Sequence, residues 1–272
     1  MKRLLIILFL AFPIFTEAQF IINPYVYASS CDADAQRFID SAGITDVTQK
    51  DAICYLVDAL KDSSIWDRFW AIYPVVGGTA TTHKWNLINP TNSNAAYRLT
   101  FSGGWTHSST GILPNGTNAN ANTNFNTNSK VSYIDSMHIS FYSGTNNTIE
   151  STDMADGLFS EIFTYSGGRT YASMNCSEQN VVASSATNGL YICSRIASGS
   201  FNLYIKNVKT NKATASSSTS GTNIYLSSYG ASNYWSSREL RFATIGKGLN
   251  DADARKLYNI IQAYQTLLSR QI

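Results

Sequence analysis

Charged residues are scarce in this sequence. Asp, Glu, Lys and Arg make up 14% of the 272 residues, whereas an average globular protein has roughly 25%. The formal net charge is +2, and no segment has the dense positive charge that binds a phosphate backbone. We therefore expect no nucleic-acid partner. Hydrophobic residues still account for 44% of the chain and aromatic residues for 12%, which indicates one sizeable core rather than disorder.

The sequence also lacks the residue patterns of common catalytic and zinc sites. It has three His, no CxxC motif and no GxSxG motif, so neither a zinc site nor a nucleophilic serine of that type is predicted. Glycoside hydrolysis requires two carboxyl groups beside the scissile bond. The nearest set, Asp153, Asp156 and Glu161, has the wrong spacing for one face of a strand. We predict no catalytic residue and a non-enzymatic protein, with a secreted glycoside hydrolase as an alternative.

No hydrophobic run is long enough to cross a bilayer, which takes about 20 residues. The longest run, residues 4–15, follows Lys2-Arg3 and precedes the short segment 16–18. This arrangement is typical of an export signal over residues 1–19, with an uncleaved N-terminal anchor as the alternative. We expect the protein to be secreted, or to lie on a virion or a cell surface.

Cysteine is limited to four residues, and an exported protein can join them as disulfides. Four cysteines allow three pairings. Proximity in the sequence favours Cys31–Cys54 and Cys176–Cys193. The alternative is that all four are buried thiols.

The rest of the chain divides into three predicted parts. Residues 20–94 contain an extended arm, short helices and a connector. Residues 95–249 form a β-sandwich, and residues 250–272 form a C-terminal helix that packs on it. All three parts are expected to share one domain, since sandwiches of about 200–250 residues often form a single domain.

The helices are predicted from apolar residues that recur at helical spacing. One helix ends at Gly43, a second begins near Thr48, and a third helical turn carries Trp66 and Trp70 on one face. Asn250 is a typical N-cap for the C-terminal helix. These helices are expected to pack together beside the sandwich.

From residue 95 onward, short bursts of alternating apolar and polar residues are separated by turns rich in Gly, Asn and Ser. Bursts at a spacing of about 8–12 residues favour an antiparallel β-sandwich over βαβ units. Residues 158–165 are partly apolar on both faces, which predicts a strand covered on both sides. Residues 115–128 are predicted as a polar loop, and residues 213–221 as an outer strand and turn, with a flexible linker as the alternative. The predicted fold class is all-β.

Two stretches of the sandwich offer the groups that a sugar site needs. Aromatic rings can cover the apolar side of a sugar ring, and amides or a guanidinium can pair with its hydroxyl groups. The predicted ligand-binding residues are Trp105, His107, Asn115, Asn118, Tyr234, Trp235 and Arg238. The alternatives are tryptophans packed in the core and ordinary solvated turns.

One short loop is a candidate calcium site. Residues 152–157 place Asp153 and Asp156 among small residues, and carboxylates together with backbone carbonyls are the ligands that Ca²⁺ prefers. Calcium is therefore the one candidate cofactor. An ordinary solvated turn is the alternative.

Three segments resemble, in content and in order, a group of phage and phage-like structural proteins found in viruses of Bacteroidetes. They are residues 38–78, which begin FIDSAGITDVTQ, residues 94–117, which begin NAAYRLTFSGG, and residues 246–271, which begin GKGLNDADARKL. The resemblance implies a concanavalin-A-like (laminin-G-like) or jelly-roll sandwich that forms part of a tail, fibre or spike. It brings no catalytic residue. Both a virion protein and an exported protein of a Bacteroidetes cell are compatible with the predicted export signal over residues 1–19.

These features together predict a non-catalytic module that binds a surface glycan or receptor as part of a phage virion or a secreted cell-surface assembly. The expected partners are the glycan or receptor and other virion or surface proteins, and the sequence leaves open a homo-oligomer. A purely structural virion or assembly protein without a sugar site is the alternative.

Overall fold

The computed structural model describes residues 31–177, 180–183 and 187–272. The predicted leader, residues 1–19, and the arm up to residue 30 lie outside the described residues. The α-helices of the described part are α1 Ala33–Ala42, α2 Val47–Asp62, α3 Ala80–His83 and α4 Asp251–Leu267. Short 3-10 turns cover Trp66–Arg68, Asn94–Ala96 and Thr127–Tyr133. Within these ranges, no helix has both the length and the apolar character needed to cross a membrane.

Strands make up most of the regular structure after α2. In chain order they are β1 Phe69–Tyr73, β2 Thr100–Ser102, β3 Trp105–His107, β4 Ile112–Pro114, β5 Asn120–Asn126, β6 Met137–Ser143, β7 Met154–Ala155, β8 Glu161–Ser166, β9 Arg169–Ser173, β10 Asn180–Ala183, β11 Gly189–Ala197, β12 Ser200–Ile205, β13 Val208–Lys212, β14 Asn223–Leu226 and β15 Leu240–Gly246.

The strands form two antiparallel sheets. Sheet A has the order β13-β12-β11-β6-β15-β4-β3, and β1 also pairs with β15. Sheet B has the order β10-β9-β8-β7-β14-β5-β2. Strand neighbours in each sheet are frequently distant in the sequence, as in β6 beside β15, which is usual in sandwiches with long crossover connections. The predicted β-sandwich with short N-terminal helices and a C-terminal helix is confirmed.

Sheet A is the middle layer of the molecule. In β11, Leu190 and Ile192 pack with residues of α1, α2 and α4, whereas Tyr191 and Cys193 pack against sheet B. The period of two along a strand explains this alternation. Because both faces are covered, β6 is buried along its whole length. The helices therefore lie on one side of sheet A, and sheet B covers the other side.

Helices α1 and α4 follow their sequence signals. Helix α1 ends at Gly43, whose φ of 69° is the left-handed conformation that glycine adopts without strain. Asn250 caps α4 by accepting a hydrogen bond from the N–H of Asp253 at 2.9 Å. Helix α2 begins earlier than expected, because Asp46, and not Thr48, caps it by accepting from the N–H of Gln49.

The predicted third helical turn with Trp66 and Trp70 on one face is wrong. Only Trp66–Arg68 forms a 3-10 turn, and the chain then enters β1. Trp66 packs with the helices beside Lys61. Trp70 stacks on Phe125 between the sheets, with 5.5 Å between ring centroids. Entry into β1 separates the two tryptophans, because the extended chain ends the helical spacing that would place both on one face.

Three details of the β region also differ from expectation. The predicted polar loop over residues 115–128 contains β5, whose Ala121 and Phe125 point into the core. Residues 213–222 form an ordered segment without a strand. Strand β8 begins at Glu161, so the exposed Leu158 precedes it, while residues 161–164 are buried as predicted for a strand covered on both sides.

The structure contains the predicted disulfide Cys31–Cys54, which ties the start of the described chain to α2. The predicted pairing of Cys176 with Cys193 is wrong, because both are reduced thiols. They belong to opposite sheets of the sandwich: Cys193 lies in β11 of sheet A and Cys176 follows β9 of sheet B. Both pack in the core between the sheets as small apolar side chains.

Candidate functional site

A double-glycine turn organises one end of the sandwich. Gly103-Gly104 connects β2 of sheet B with β3 of sheet A. A Cβ on Gly103 would lie 2.1 Å from the backbone oxygen of Asn118, and one on Gly104 would lie 2.4 Å from Nδ2 of Asn115. Only glycine permits such a close approach. The turn therefore packs flat on residues 115–118 and fixes their position.

Asn115 and Asn118 are both exposed at this end and hold their own turn together. Oδ1 of Asn115 accepts hydrogen bonds from the N–H groups of Thr117 and Asn118, at 3.0 and 3.1 Å. Oδ1 of Asn118 accepts from Nδ2 of Asn115 and from the N–H of Gly104. These side chains are pre-ordered, so binding a ligand there would cost little conformational entropy.

Trp105 is partly packed and partly exposed. Its ring meets that of Phe101 edge-on, with 5.4 Å between centroids, and Nε1 donates to the carbonyl of Ser102 at 2.9 Å. The side chain is thus anchored at its polar end, and the part of the ring that remains accessible can contact a ligand. The two alternatives for Trp105, packing and exposure, both describe part of this side chain.

His107 is engaged in a structural pair. Its Nδ1 lies 2.9 Å from Nδ1 of His83, and Nε2 of His83 accepts from the N–H of Gly78 at 3.1 Å. His83 therefore carries its proton on Nδ1 and donates it to His107. Burial lowers the pKa of both rings, that of His83 to about 3. The predicted ligand-binding role of His107 is weakened, because this ring already joins α3 to β3.

The second predicted stretch, residues 234–238, has Tyr234 at the surface and Arg238 in the interior. Tyr234 is 50% exposed and meets Phe163 edge-on at 5.0 Å. Trp235 is half-buried, and its Nε1 has no hydrogen-bond partner among the described residues. Arg238 is buried, so its predicted role as a ligand-binding residue is wrong.

Arg238 instead holds a loop against the sandwich. Its guanidinium donates to the carbonyl of Ile149 at 2.7 Å and to the carboxylate of Asp153 at 3.3 Å. The hydroxyls of Thr164 and Ser236 also donate to Asp153. A buried charge of this kind needs such partners to offset the loss of hydration.

The predicted calcium site at Asp153 and Asp156 finds no support. Asp153 is neutralised by Arg238, and Oδ1 of Asp156 accepts from the N–H groups of Leu158, Phe159 and Ser160 at 2.8 to 3.0 Å. Across residues 31–177, 180–183 and 187–272, no group of three or more His, Cys, Asp or Glu could hold a metal ion. Both carboxylates serve the fold.

Asp156 and Glu161 form a buried acidic pair, although their spacing does not fit one face of a strand. Ala155 of β7 pairs with Glu161 of β8. Asp156, the next residue after Ala155, therefore lies beside Glu161. Burial, and then the charge of Asp156, raise the pKa of Glu161 to about 8. Burial also raises the pKa of Asp156, while three backbone N–H bonds oppose that shift. Glu161 is thus the member of the pair that keeps its proton near neutral pH.

The two predicted stretches come together at one end of the molecule. A Cβ on Gly116 would lie 3.2 Å from Cβ of Ser237, which places the Asn115–Asn118 turn beside the segment that follows Trp235. Nδ2 of Asn120 donates to the carbonyl of Ala231 at 3.3 Å. We call the surface formed by Trp105, Asn115, Asn118, Tyr234 and Trp235 the rim.

The rim continues into a surface that sequence reasoning missed, the outer face of sheet B. Across the paired strands β2, β5 and β14, Ser102 faces Asn120, and Thr100 and Tyr225 face Asn122. Directly paired residues point to the same side of a sheet. We call Thr100, Ser102, Asn120, Asn122 and Tyr225 the polar face. The alternation in NANTNFN was its signal, but asparagine is uncommon in strands.

No protein-family model and no curated protein sequence matches this chain. Among solved structures, the botulinum neurotoxin serotype D binding domain aligns with 71% of this chain and 52% of its own, at 11% identity and a TM-score of 0.51. A Trypanosoma rangeli sialidase in complex with sialic acid aligns with 69% of this chain and 32% of its own, at 9% identity and a TM-score of 0.48.

Domain 4 of a GH43 extracellular arabinanase from Geobacillus stearothermophilus, in complex with arabinotriose, aligns over 70% of this chain and 98% of its own, at 12% identity and a TM-score of 0.41. The match to the toxin domain, which spans about half of that chain, supports the β-sandwich fold. At such low identity the likeness is one of fold alone.

Proposed function

We propose that this protein is a non-catalytic module that binds a glycan or a glycosylated cell-surface receptor through the rim. The observation that carries the proposal is the contact between Gly116 and Ser237, which brings two separately predicted stretches to one end of the sandwich. The rim then combines half-exposed aromatic rings with exposed amide groups. Both kinds of group are suited to a sugar, whose ring has an apolar side and a hydroxyl-bearing edge.

Other observations support a binding role. Loops at the end of a rigid sandwich are a common place for recognition, and the fold is shared with the binding domain of a neurotoxin. The disulfide Cys31–Cys54 fits an oxidising compartment such as the cell exterior. The resemblance to phage structural proteins supports a place in a virion or a secreted cell-surface assembly, which copurification with particles or surface complexes would test.

Binding of fluorescent glycans to the purified chain tests the rim. We expect Trp105→Ala and Tyr234→Ala each to weaken binding by about tenfold, because each removes an aromatic surface worth roughly 1 kcal/mol or more. Trp85→Ala is the matched control, since Trp85 is also half-exposed but bonds to Thr81 away from the rim. Equal affinity of all three variants and the wild type would exclude the rim.

A secreted glycoside hydrolase is the second candidate, and the Asp156–Glu161 pair is the observation in its favour. A raised carboxyl pKa beside a second carboxylate is typical of a glycosidase acid. Both residues are buried, however, with 0% and 2% exposure, so a substrate cannot reach them. Release of reducing sugar from a polysaccharide that is lost in Glu161→Gln would favour hydrolysis over binding.

A further inference from the structure

Two long segments of the chain contain no charged residue at all. Residues 99–129 and residues 213–237 have no Asp, Glu, Lys or Arg. The first supplies β2 and β5, and the second supplies β14. These three strands are neighbours in sheet B. The fold therefore brings the two uncharged segments together and builds one continuous neutral surface from them.

The polar face displays the hydrogen-bonding groups of this neutral surface. Thr100 and Ser102 are exposed, and Asn120, Asn122 and Tyr225 are half-exposed. Three neighbouring strands span about 10 Å, and two residues along a strand span about 7 Å. The polar face thus offers hydroxyl, amide and phenol groups over an area that suits a short oligosaccharide.

Hydrogen bonds through Asn124 connect three side chains of the polar face. Nδ2 of Asn122 donates to the hydroxyl of Tyr225 at 3.3 Å, and its Oδ1 accepts from the N–H of Asn124 at 2.7 Å. Nδ2 of Asn124 in turn donates to the hydroxyl of Thr100 at 3.3 Å. Hydroxyls and amides of this kind can accept and donate at once, which matches the dual character of sugar hydroxyl groups.

The nearest cation along the chain is directed elsewhere. Arg98, which precedes β2, donates from Nε to Asn94 at 3.1 Å and from Nη1 to Asn92 at 2.7 Å. A carboxylate or sulfate on a sugar is normally recognised by the paired N–H groups of an arginine or by a lysine. An anionic sugar would lose part of its hydration on this face and gain no compensating charge from the two segments that form it.

We infer that the ligand is a neutral, hydroxyl-rich glycan that lies across the polar face and reaches the rim. The inference rests on the proposed glycan binding and adds two statements to it. The first concerns the chemical class, since sialylated, sulfated and uronate-containing glycans are excluded as preferred ligands. The second concerns the place, since the binding surface extends from the rim onto sheet B.

The chemical class is tested by comparing two panels of probes on the full chain. The neutral panel contains galactomannan, an α-glucan and N-acetyllactosamine oligosaccharides; the anionic panel contains sialyllactose, polygalacturonate and heparin. We expect binding in the neutral panel, at least tenfold weaker binding in the anionic panel, and no loss of affinity when salt is raised. A neutral ligand has no charge for salt to screen.

The place is tested with the double variant Asn120→Ala/Asn122→Ala. Loss of two hydrogen-bonding side chains is expected to weaken neutral-glycan binding about tenfold or more. Asn211→Ala is the matched control, because Asn211 is an exposed asparagine on β13 of sheet A that bonds to Asn202. Circular dichroism and the melting temperature confirm that each variant is folded.

The outcomes separate this inference from the proposed function. Preferential or salt-sensitive binding of anionic glycans would overturn the neutral class and leave glycan binding intact. Neutral-glycan binding that depends on Trp105 but is unchanged in the Asn120→Ala/Asn122→Ala variant would restrict the site to the rim. Absence of binding in both panels would reject the proposed function and this inference together.

Discussion

Replacing Glu161 by Gln should change how stability depends on pH. Oε1 of Glu161 and Oδ2 of Asp156 are buried and have no hydrogen-bond partner among the described residues. Asp156 is held as the charged member by three backbone N–H groups. Glu161 must therefore keep its proton for the pair to remain buried without two adjacent negative charges. Glutamine has the same shape and never ionises.

The sign of the effect follows from the pKa of Glu161, which burial and the charge of Asp156 raise from 4.5 to about 8. Between these values the folded chain holds a proton that the unfolded chain has released. The contribution of Glu161 to stability is therefore fully present below pH 4.5 and is lost as the pH rises towards 8. Each pH unit in this window costs about 1.4 kcal/mol.

Burial of the histidines makes stability rise with pH, whereas Glu161 makes it fall. The two effects therefore overlap below pH 6.5. Burial lowers the pKa of His83 from 6.5 to about 3 and that of His138 from 6.5 to about 4. The two histidines lower the free energy of unfolding only as the pH falls below 6.5. Between pH 6.5 and 8 the Glu161 contribution stands alone among these three groups, and we expect the wild type to lose about 2 kcal/mol relative to Glu161→Gln across it.

Urea unfolding monitored by tryptophan fluorescence at pH 6.5, 7.25 and 8.0 (roughly even steps over the window set by the two pKa values) measures this difference. Glu150→Gln is the matched control, because Glu150 is exposed and accepts a hydrogen bond from the hydroxyl of Ser166; the slope of its stability against pH should equal that of the wild type. Parallel stability curves for the wild type and Glu161→Gln would refute the assignment of the proton to Glu161.

Three further predictions concern Arg270, the buried histidines and the disulfide. Arg270→Ala should lower the free energy of unfolding by about 3 kcal/mol or more, because its buried guanidinium donates to the carbonyls of Pro74, Val75, Thr110 and Arg241; urea unfolding measures this, and a loss below about 1 kcal/mol would contradict it. In the Glu161→Gln background, stability should fall from pH 6.5 towards pH 4 because the unfolded chain takes up protons that buried His83 and His138 refuse; a flat acid profile in urea unfolding would contradict this. Cys31→Ser/Cys54→Ser should cost about 3 kcal/mol for a loop with a sequence separation of 23, and an unchanged melting temperature would contradict it.

Local signals were sufficient for the helices at the two ends of the fold. Gly43 ends α1 in the left-handed conformation, and Asn250 caps α4 through its side chain. Both residues act on groups within three or four positions along the chain. The sequence carries all the information that such short-range interactions require, so these boundaries could be predicted without a tertiary structure.

Residues 66–73 show where local signals are insufficient. Their apolar residues also fit a helical spacing, yet Phe69–Tyr73 pairs with β15, whose paired residues lie 170 to 177 positions further along the chain. Strand β5 is the converse case, since asparagine disfavours strands but Ala121 and Phe125 are buried in the core between the sheets. In both segments the distant partner strand decides the conformation, because pairing and burial outweigh intrinsic preference.

The candidate site was predicted in part for the same reason. Trp105, Asn115, Asn118 and Tyr234 were identified from residue type and turn context, and the fold does bring their segments to one end. Arg238 and Asp153 look identical to surface residues in the sequence but neutralise each other inside. Residue type indicates what a side chain can bind, while exposure depends on long-range packing that spacing does not reveal.

The distribution of charge connects the fold to the proposed binding surface. Buried arginines hold the loops: Arg195 donates to carbonyls that include those of Met174, Ala197 and Thr214, and Arg238 fixes the segment at Ile149. Thr214 lies at the start of the uncharged segment that leads into β14. Arg195 thus fixes the start of a segment that carries no charged residue. A rigid neutral surface loses little entropy on binding and carries no fixed charge, and both properties favour an uncharged ligand with many hydroxyl groups.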